Sequence, residues 1–489
     1  MNLRHSPTLF GFWSAFSFPD KDSSVPEATT YDPLNKDLYQ VADAELRARR
    51  EDIAHSNLYY AGRHKQHLKV KPGTINHNIT KNLFLQAVDR TKAFLIPAMP
   101  KLELDEMAET DDEEWLRRCW KAAGAAAILA DLAHNGCMAG HIFAKILPPE
   151  EGQLYPQLLN LNPANALCWW HAENHTKVLW YELRYGTGKN EKRQDIVKTG
   201  STWAIYEYKR KQDSSVVTGA AGWELSGEGE EWPYPLGPIV DWQHVRKPNF
   251  YYGESEAVDL DLNDGVNKVA SNTSKILHHH AYPKTFLKGV KGGKVQETGI
   301  EGLLSVENEQ ADAKNIEMQS DLASSRNFTA DLEDSYLAQR RIVVLKGAVA
   351  DFQRVTNLGI QELYVDQNAK IRELHWNYDG GIEGISLRFL MLDGREYVDR
   401  EVTAHWKEAL PQDPTVQVAV LEKDRQMGLV SKETLSEERG YNYGEEQARI
   451  DEEGQDQASL LERILRENPM GNTGNNPPGQ NQPPDGGNA

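Results

Sequence analysis

Two stretches with helical apolar spacing flank a glycine-rich insert, and this arrangement constrains the fold more than any other feature. The stretches cover residues 251–282 and 320–345, and the insert covers 283–319. Their apolar positions recur at spacings of three, four or seven residues: Leu262, Val266, Val269, Ile276, Phe328, Leu332 and Tyr336. The insert has short strand-like pieces and glycines that suit tight turns. The sequence therefore predicts two antiparallel helices that carry a small β-containing tip.

The region before this hairpin, residues 36–250, is typical of an α+β domain. Helical spacing is found over 43–67, in a segment that ends at Pro97, and over the alanine-rich residues 115–147. Alternating apolar residues between 167 and 212 predict strands of an antiparallel sheet.

After the hairpin, residues 346–357 are expected to form a loop, and a helix is expected from residue 358. A helical region then continues to about residue 467. Residues 1–35 are predicted to be an arm with an aromatic knot rather than a signal peptide. The last residues, 468–489, are rich in Gly, Pro, Asn and Gln, so we expect them to be disordered.

Charge and composition exclude several classes of protein. The net charge of −19 repels nucleic acid at long range and lacks the basic footprint of a conventional nucleic-acid binder. No run of about 18 apolar residues is present, which predicts that nothing spans a membrane. The sparse cysteines, without a CxxC pair, indicate reduced thiols and synthesis in the cytosol: Cys119, Cys137 and Cys168.

The motifs of catalytic and metal sites fail when their spacing is tested. The histidines His278–His280 are adjacent, so on a helix they point about 100° apart and cannot all face one metal ion. Pro283 follows them, which favours a helix end whose dipole the histidines stabilise. The stretch Asp259–Gly265 misses the glycine and glutamate positions of a calcium loop. No P-loop is present, and "GESEA" from Gly253 lacks the last glycine of a nucleophile elbow. The sequence predicts no catalytic site, no metal and no cofactor.

Four stretches, in this order, resemble the portal proteins of tailed bacteriophages over about residues 40–460. They cover residues 59–100, 135–165, 258–289 and 402–453. The residues that carry the resemblance are Tyr59, Tyr60, Gly62, Asn78, Lys81, Asn82, Trp406, Leu410, Pro411, Gly428, Leu429, Val430, Ser431, Glu433 and Thr434. The stretch Asn357–Ile360 departs from the Ser-Gly-x-Ala-Leu signature of many relatives, which leaves the end of the preceding loop open by several residues.

The resemblance implies a portal-type α+β fold and a cyclic ring, normally of twelve subunits. It implies these regions: an N-terminal arm (1–35), a wing (36–250), a first stem helix (251–282), a clip (283–319), a second stem helix (320–345), a tunnel loop (346–357), a tunnel/wing helix (358–374), a crown (375–467) and a disordered tail (468–489). Heterologous contacts between like subunits close such a ring.

The resemblance also implies a function, a location and partners. The ring would stand at one capsid vertex of a virion, be assembled in the host cytoplasm, and form the channel for DNA packaging and ejection. Its partners would be the terminase large subunit, the capsid and scaffolding proteins, a head-completion or tail adaptor protein, and double-stranded DNA. The tunnel-loop residues expected at the DNA are Lys346, Gly347, Asp351, Gln353 and Arg354. The clip residues expected to dock the terminase are Lys288, Lys291 and Lys294.

Two other interpretations remain. The same helix–tip–helix form could belong to a viral or host scaffold that contacts only protein. A metal-dependent nuclease that uses His278–His280 is the third. A ring with a central hole as wide as DNA would separate the portal from the scaffold, and the metal content of the purified protein would test the nuclease.

Overall fold

The helices and strands of the larger of two units follow the predicted mixture of α and β structure. A computed structural model describes residues 31, 36–64, 76, 78–105, 110–171, 174–211, 222–281, 284–288, 312–316, 322–343, 362–409, 414–438, 443, 444 and 446–452. The chain divides into the units Met1–Leu410 and Pro411–Ala489. The helices of the first unit are α1 Lys36–Tyr60, α2 Leu83–Leu95, α3 Thr110–Ala122, α4 Ala126–Ala139, α5 Leu260–Ala281, α6 Leu322–Gln339 and α7 Val365–Leu392. The strands are β1 Lys101–Leu104, β2 His141–Leu147, β3 Gln157–Leu161, β4 Ala166–His171, β5 Asn174–Tyr185, β6 Lys192–Thr199, β7 Thr202–Arg210, β8 Trp223–Leu225, β9 Glu230–Trp232, β10 Ile239–Gln243, β11 Lys284–Lys288, β12 Asp312–Ile316 and β13 Val402–His405.

The largest sheet is antiparallel and contains the strands that the alternating pattern predicts. Its order is β4-β5-β6-β7-β8, and β9 also pairs with β7. Leu46 of α1 packs in one buried cluster with Trp169 and Trp180 of this sheet. A second cluster joins Ile196 of the sheet to Phe143 of β2. The predicted antiparallel sheet is confirmed.

A three-stranded sheet, in the order β10-β2-β3, corrects the prediction of one long helix over 115–147. The chain instead forms α3, α4 and β2. Gly124 (φ 105°) and Ala125 (φ 50°) adopt positive φ and end the helical path between α3 and α4. The first six residues of β2 are buried, because helices cover one face of the strand and the large sheet the other. A stretch that is buried on both faces carries no period that separates a strand from a buried helix.

Helix α7 forms the centre of the largest buried cluster, with Tyr378, Ile382 and Phe389 fully buried against α3, α4 and β10. This helix runs without a break across residues 374 and 375, where the sequence interpretation set the boundary between tunnel helix and crown. Beyond α7, β13 pairs antiparallel with β1. Residues 375–410 therefore belong to the same unit as residues 36–250, and the division of the chain falls at Leu410.

The hairpin consists of α5, β11, β12 and α6. Strands β11 and β12 pair antiparallel from Lys284↔Ile316 to Lys288↔Asp312, and α5 contacts α6. Helix α5 begins at Leu260 rather than near residue 251, because Glu254 forms a bridge with Val245 that fixes extended backbone there. His278–His280 lie in the last turn of α5, as expected for a helix end.

The second unit contains α8 Pro414–Gln426 and α9 Lys432–Glu438, in the region expected to be helical. Four of the predicted segments lie wholly or mostly outside the described residues: the arm 1–35, the centre of the clip (289–311), the tunnel loop 346–357 and the tail 468–489. Among the described helices, none is both long and apolar enough to cross a membrane.

Candidate functional site at the base of the hairpin

A row of polar side chains on α5 binds the segment 79–83, which leads into α2. Asn263, Asn267 and Ser271 lie four residues apart on one face of the helix, and all three are almost fully buried. They accept backbone N–H groups from every second residue of the segment: Leu83 to Asn263 (2.9 Å), Lys81 to Asn267 (2.7 Å) and Ile79 to Ser271 (3.0 Å). One helical turn thus matches two residues of extended chain. We call these three residues the polar ladder.

An apolar contact lies beside the polar ladder. Val266 of α5 and Tyr336 of α6 are fully buried, together with Leu83 and Ala87 of α2. Leu332 is partly buried against the same cluster. The predicted apolar stripes therefore do meet at this end of the hairpin, where its helices pack against α2.

Three buried polar side chains form an ion cluster next to this contact: Glu256, His244 and Lys370. The Lys370 Nζ atom lies 2.6 Å from Glu256 Oε1, and His244 Nε2 lies 3.6 Å from the same oxygen. Burial alone would raise the pKa of Glu256, but the Lys370 ammonium and the imidazole of His244 outweigh it and lower the pKa to about 2. Burial lowers the pKa of His244, so this ring is neutral at pH 7.

Lys370 also connects three helices. Its Nζ donates to Thr91 Oγ1 of α2 (3.3 Å) and to the carbonyl oxygen of Arg340 at the end of α6 (3.2 Å). These two acceptors and the Glu256 carboxylate at 2.6 Å surround the buried ammonium and offset the cost of burying its charge. The ion cluster therefore fixes α7 against α2 and the end of α6.

Contacts of α7 hold the two ends of segment 344–361 together. The N–H of Val343, the last described residue before this segment, donates to Gln367 Oε1 (3.0 Å). Arg341 Nη1 pairs with Glu373 at 3.0 Å. The Arg90 guanidinium donates to the Val343 carbonyl oxygen. The chain thus leaves α6 and returns to α7 at one fixed place.

The sequence-predicted site residues are not brought together by the described part of the chain. Lys346, Gly347, Asp351, Gln353 and Arg354 lie outside the described residues, as do Lys291 and Lys294. Lys288 is the last residue of β11, in register with Asp312. Within the described ranges, no group of His, Cys, Asp and Glu side chains could hold a metal ion.

The sequence interpretation missed the ion cluster. Glu256 was considered only as part of a possible nucleophile elbow. A signal was present in α7, where Lys370 falls on the same helical face as Ile371, Leu374 and Tyr378. A lysine on an apolar face predicts a buried partner, although the pattern does not say which residue that is.

Residues 40–460 match the family described as "Phage portal protein, SPP1 Gp6-like". The chain belongs to this family of phage portal proteins. Portal proteins of this family are structural and not enzymatic, which confirms the interpretation that the chain is not an enzyme. As a portal protein, it has a structural role in a phage-like particle.

Chains in solved structures of gene transfer agent particles are similar to this portal protein. One, from "Virion of native gene transfer agent (GTA) particle", shares 15% identity at a TM-score of 0.41, over 80% of this chain and 93% of that chain. Another, from "Neck of native GTA particle computed with C12 symmetry", shares 15% identity at a TM-score of 0.45, over 74% and 90%. A search of curated proteins found no match.

Proposed function

We propose that the chain forms the portal ring at one capsid vertex, with a channel for DNA packaging and ejection. The ring would be of twelve subunits, be assembled in the host cytoplasm, and contact the terminase large subunit, the capsid and scaffolding proteins, and later a tail adaptor protein. Membership of the portal family supports the proposal. Part of the net charge of −19 would line the channel in this proposal, where it would repel phosphates and keep DNA from adhering.

The fixed ends of segment 344–361 are the observation that carries the proposal. A loop that lines a channel must change its conformation as the duplex passes, while the residues that attach it to the subunit stay in place. The Val343–Gln367 hydrogen bond (3.0 Å) and the bonds of Lys370 provide such attachment points. In this proposal α5 and α6 are the stem, residues 36–250 the wing, 283–319 the clip and 346–357 the tunnel loop. The crown lies within 375–467, of which residues 375–410 belong to the larger unit.

The first experiment asks whether the chain forms a ring. Negative-stain microscopy and native mass measurement of the purified protein are expected to show a closed ring with a central hole as wide as DNA. A discrete assembly without such a hole would contradict the channel and favour a scaffold that contacts only protein.

The second experiment tests the tunnel loop. Lys346 and Arg354 are its only cations, and loose phosphate contacts by these two residues would be weakened by salt. Lys346→Gln with Arg354→Gln is expected to leave ring assembly normal and to change the packaging rate or the retention of DNA in proheads at two salt concentrations. The control is Lys198→Gln with Lys209→Gln, which removes two exposed cations from the wing sheet. If the variant packages DNA at the wild-type rate, to the wild-type length and with the wild-type salt response, these cations do not contact the DNA.

The third experiment tests the clip. Lys288, Lys291 and Lys294 would pair with acidic groups of the terminase, because ammonium groups at a protein interface steer and orient a partner. Their triple replacement by Gln is expected to abolish or slow packaging while the ring mass stays unchanged. Packaging at the wild-type rate would show that these lysines do not dock the motor.

A further inference from the structure

The three-stranded sheet has a free edge along β3. In the described part of the chain, β3 pairs only with β2. The N–H of Ile146 in β2 donates to the carbonyl oxygen of Pro238, next to β10 (2.7 Å). Backbone groups alternate in direction along an antiparallel strand. Even-numbered residues of β2 therefore direct their N–H and C=O groups toward β10, and odd-numbered residues direct theirs toward β3. In the β2–β3 register, the backbone groups of Leu158 and Asn160 are therefore directed away from β2. These groups can accept another strand.

The two faces of this edge differ in chemistry. Leu159 lies opposite Lys145, on the face of the sheet that also carries Phe143, and 40% of its surface is exposed. Asn160 lies on the other face and lines a cavity of about 240 Å³. The cavity also has three further asparagines and a histidine, namely Asn57, Asn135, Asn162 and His134. Burial, and then the charge of Lys92, lower the pKa of His134, so the polar lining is uncharged at pH 7.

The N-terminal arm contains a segment with matching faces. In residues 8–18, "TLFGFWSAFSF", Phe occupies the even positions 10, 12, 16 and 18. The odd positions hold Leu9, Gly11, Trp13, Ala15 and Ser17. Recurrence of phenylalanine with a period of two places all four rings on one face of a strand. The phenylalanine face therefore suits the exposed leucine, and the face with Trp13 suits the cavity, which Ile53 and Met138 line beside the asparagines.

The arm is long enough to reach this edge of its own chain. Its end is fixed at Tyr31, which packs in the cluster that also contains Leu46 of α1. Ile53 lines the cavity and lies seven residues after Leu46 in α1. Seven residues of helix correspond to a distance of about 10 Å along the helix axis. The 12 residues 19–30 span up to about 40 Å when extended. The connection therefore imposes no strain.

We propose that residues 8–18 add as a fourth strand to the free edge of β3 in the same chain. The phenylalanines cover Leu159, and the backbone of the arm forms hydrogen bonds with the N–H and C=O groups of Leu158 and Asn160 that are directed away from β2. Main-chain bonds give such an added strand its affinity, and the alternating side chains give it specificity. The proposal concerns the fold of one chain and does not rest on the portal ring.

A cysteine crosslink in the full chain tests the proposal. Ser14 has the parity of the phenylalanines, so Ser14→Cys with Leu159→Cys brings two thiols to one face. Burial raises the pKa of all three native cysteines, to about 12 for Cys119, which keeps them from reacting with a short bismaleimide. The control pair is Ser14→Cys with Leu225→Cys, an exposed leucine of β8. We expect about tenfold more intrachain crosslink with residue 159, because pairing raises the local thiol concentration.

Each other outcome overturns the proposal. Equal crosslinking at residues 159 and 225, or none at either, would mean that the arm does not add to β3. A crosslink that joins two chains would mean that the arm is exchanged between copies. As an independent measurement, Phe12→Ser with Phe16→Ser is expected to speed amide hydrogen exchange in 157–161 about tenfold and to leave the strand of Leu225 unchanged. Unchanged exchange in 157–161 would also overturn the proposal.

Discussion

The base and the distal half of the hairpin are built in different ways. At the base, Val266 and Tyr336 are fully buried, and the polar ladder and the ion cluster connect α5 and α6 to α2, α7 and the segment before α2. In the distal half, Leu277 and Phe328 leave 51% and 54% of their surfaces exposed. In the part of the chain that the structure describes, contacts within the subunit stabilise the base, and Leu277 and Phe328 of the distal half stay about half exposed. The predictions below test this difference.

The largest effect is expected at the ion cluster. Lys370→Met leaves Glu256 as a buried charge without its ammonium partner, which costs about 3–5 kcal/mol in the free energy of unfolding. Urea unfolding measures the loss. The control is Glu373→Gln, which breaks the exposed pair with Arg341 and is expected to cost less than about 1 kcal/mol. Equal losses in the two variants would show that the base does not depend on its buried charges.

The same variant gives a dependence on pH. Because the pKa of Glu256 is lowered to about 2 in the fold, its contribution is complete above the unfolded value of about 4.3 and is lost as the pH falls toward 2. Lys370→Met removes the main cause of this lowering. We expect the wild type to lose more unfolding free energy than the variant between pH 5 and pH 3. Parallel losses would mean that other carboxylates account for the acid sensitivity.

A smaller effect is expected at the polar ladder. Asn267→Leu fills a similar volume but leaves the part-buried N–H of Lys81 without its acceptor, which costs about 1 kcal/mol or more. Asn272→Leu is the matched control, since this asparagine is exposed on the same helix and its change is expected to stay within about 0.5 kcal/mol. Urea unfolding of both variants measures the difference. A ladder variant as stable as the control would show that the wing segment does not need these bonds.

The sequence predicted the elements of this fold better than their connections. Strands β5 and β7 alternate and were found, whereas β2, which is buried on both faces and also holds His141 and Lys145, gave no clear period and was taken for helix. The helical stripes of the hairpin were evident from spacing. The pairing of Glu256 with Lys370 was not, because 114 residues separate them and either could pair with many opposite charges in the sequence. The expected DNA-contacting residues of the tunnel loop stay a prediction, since they lie outside the described residues.

The smallest effect on the single chain is expected in the distal half of the hairpin. Leu277→Ser with Phe328→Ser replaces side chains that are already half exposed, so the unfolding free energy of the subunit is expected to change by no more than about 0.5 kcal/mol. Val266→Ala, at the base, is the control and is expected to cost about 1–3 kcal/mol.

If neighbouring stems cover the distal half in the proposed ring, the double serine variant also loses the apolar area that holds subunits together. Native mass measurement would then show fewer closed rings for the serine variant than for Val266→Ala at equal subunit concentration. An unchanged ring fraction would mean that Leu277 and Phe328 do not lie between subunits. A large loss of subunit stability would mean that they are covered within one chain. That result would contradict the difference between the base and the distal half.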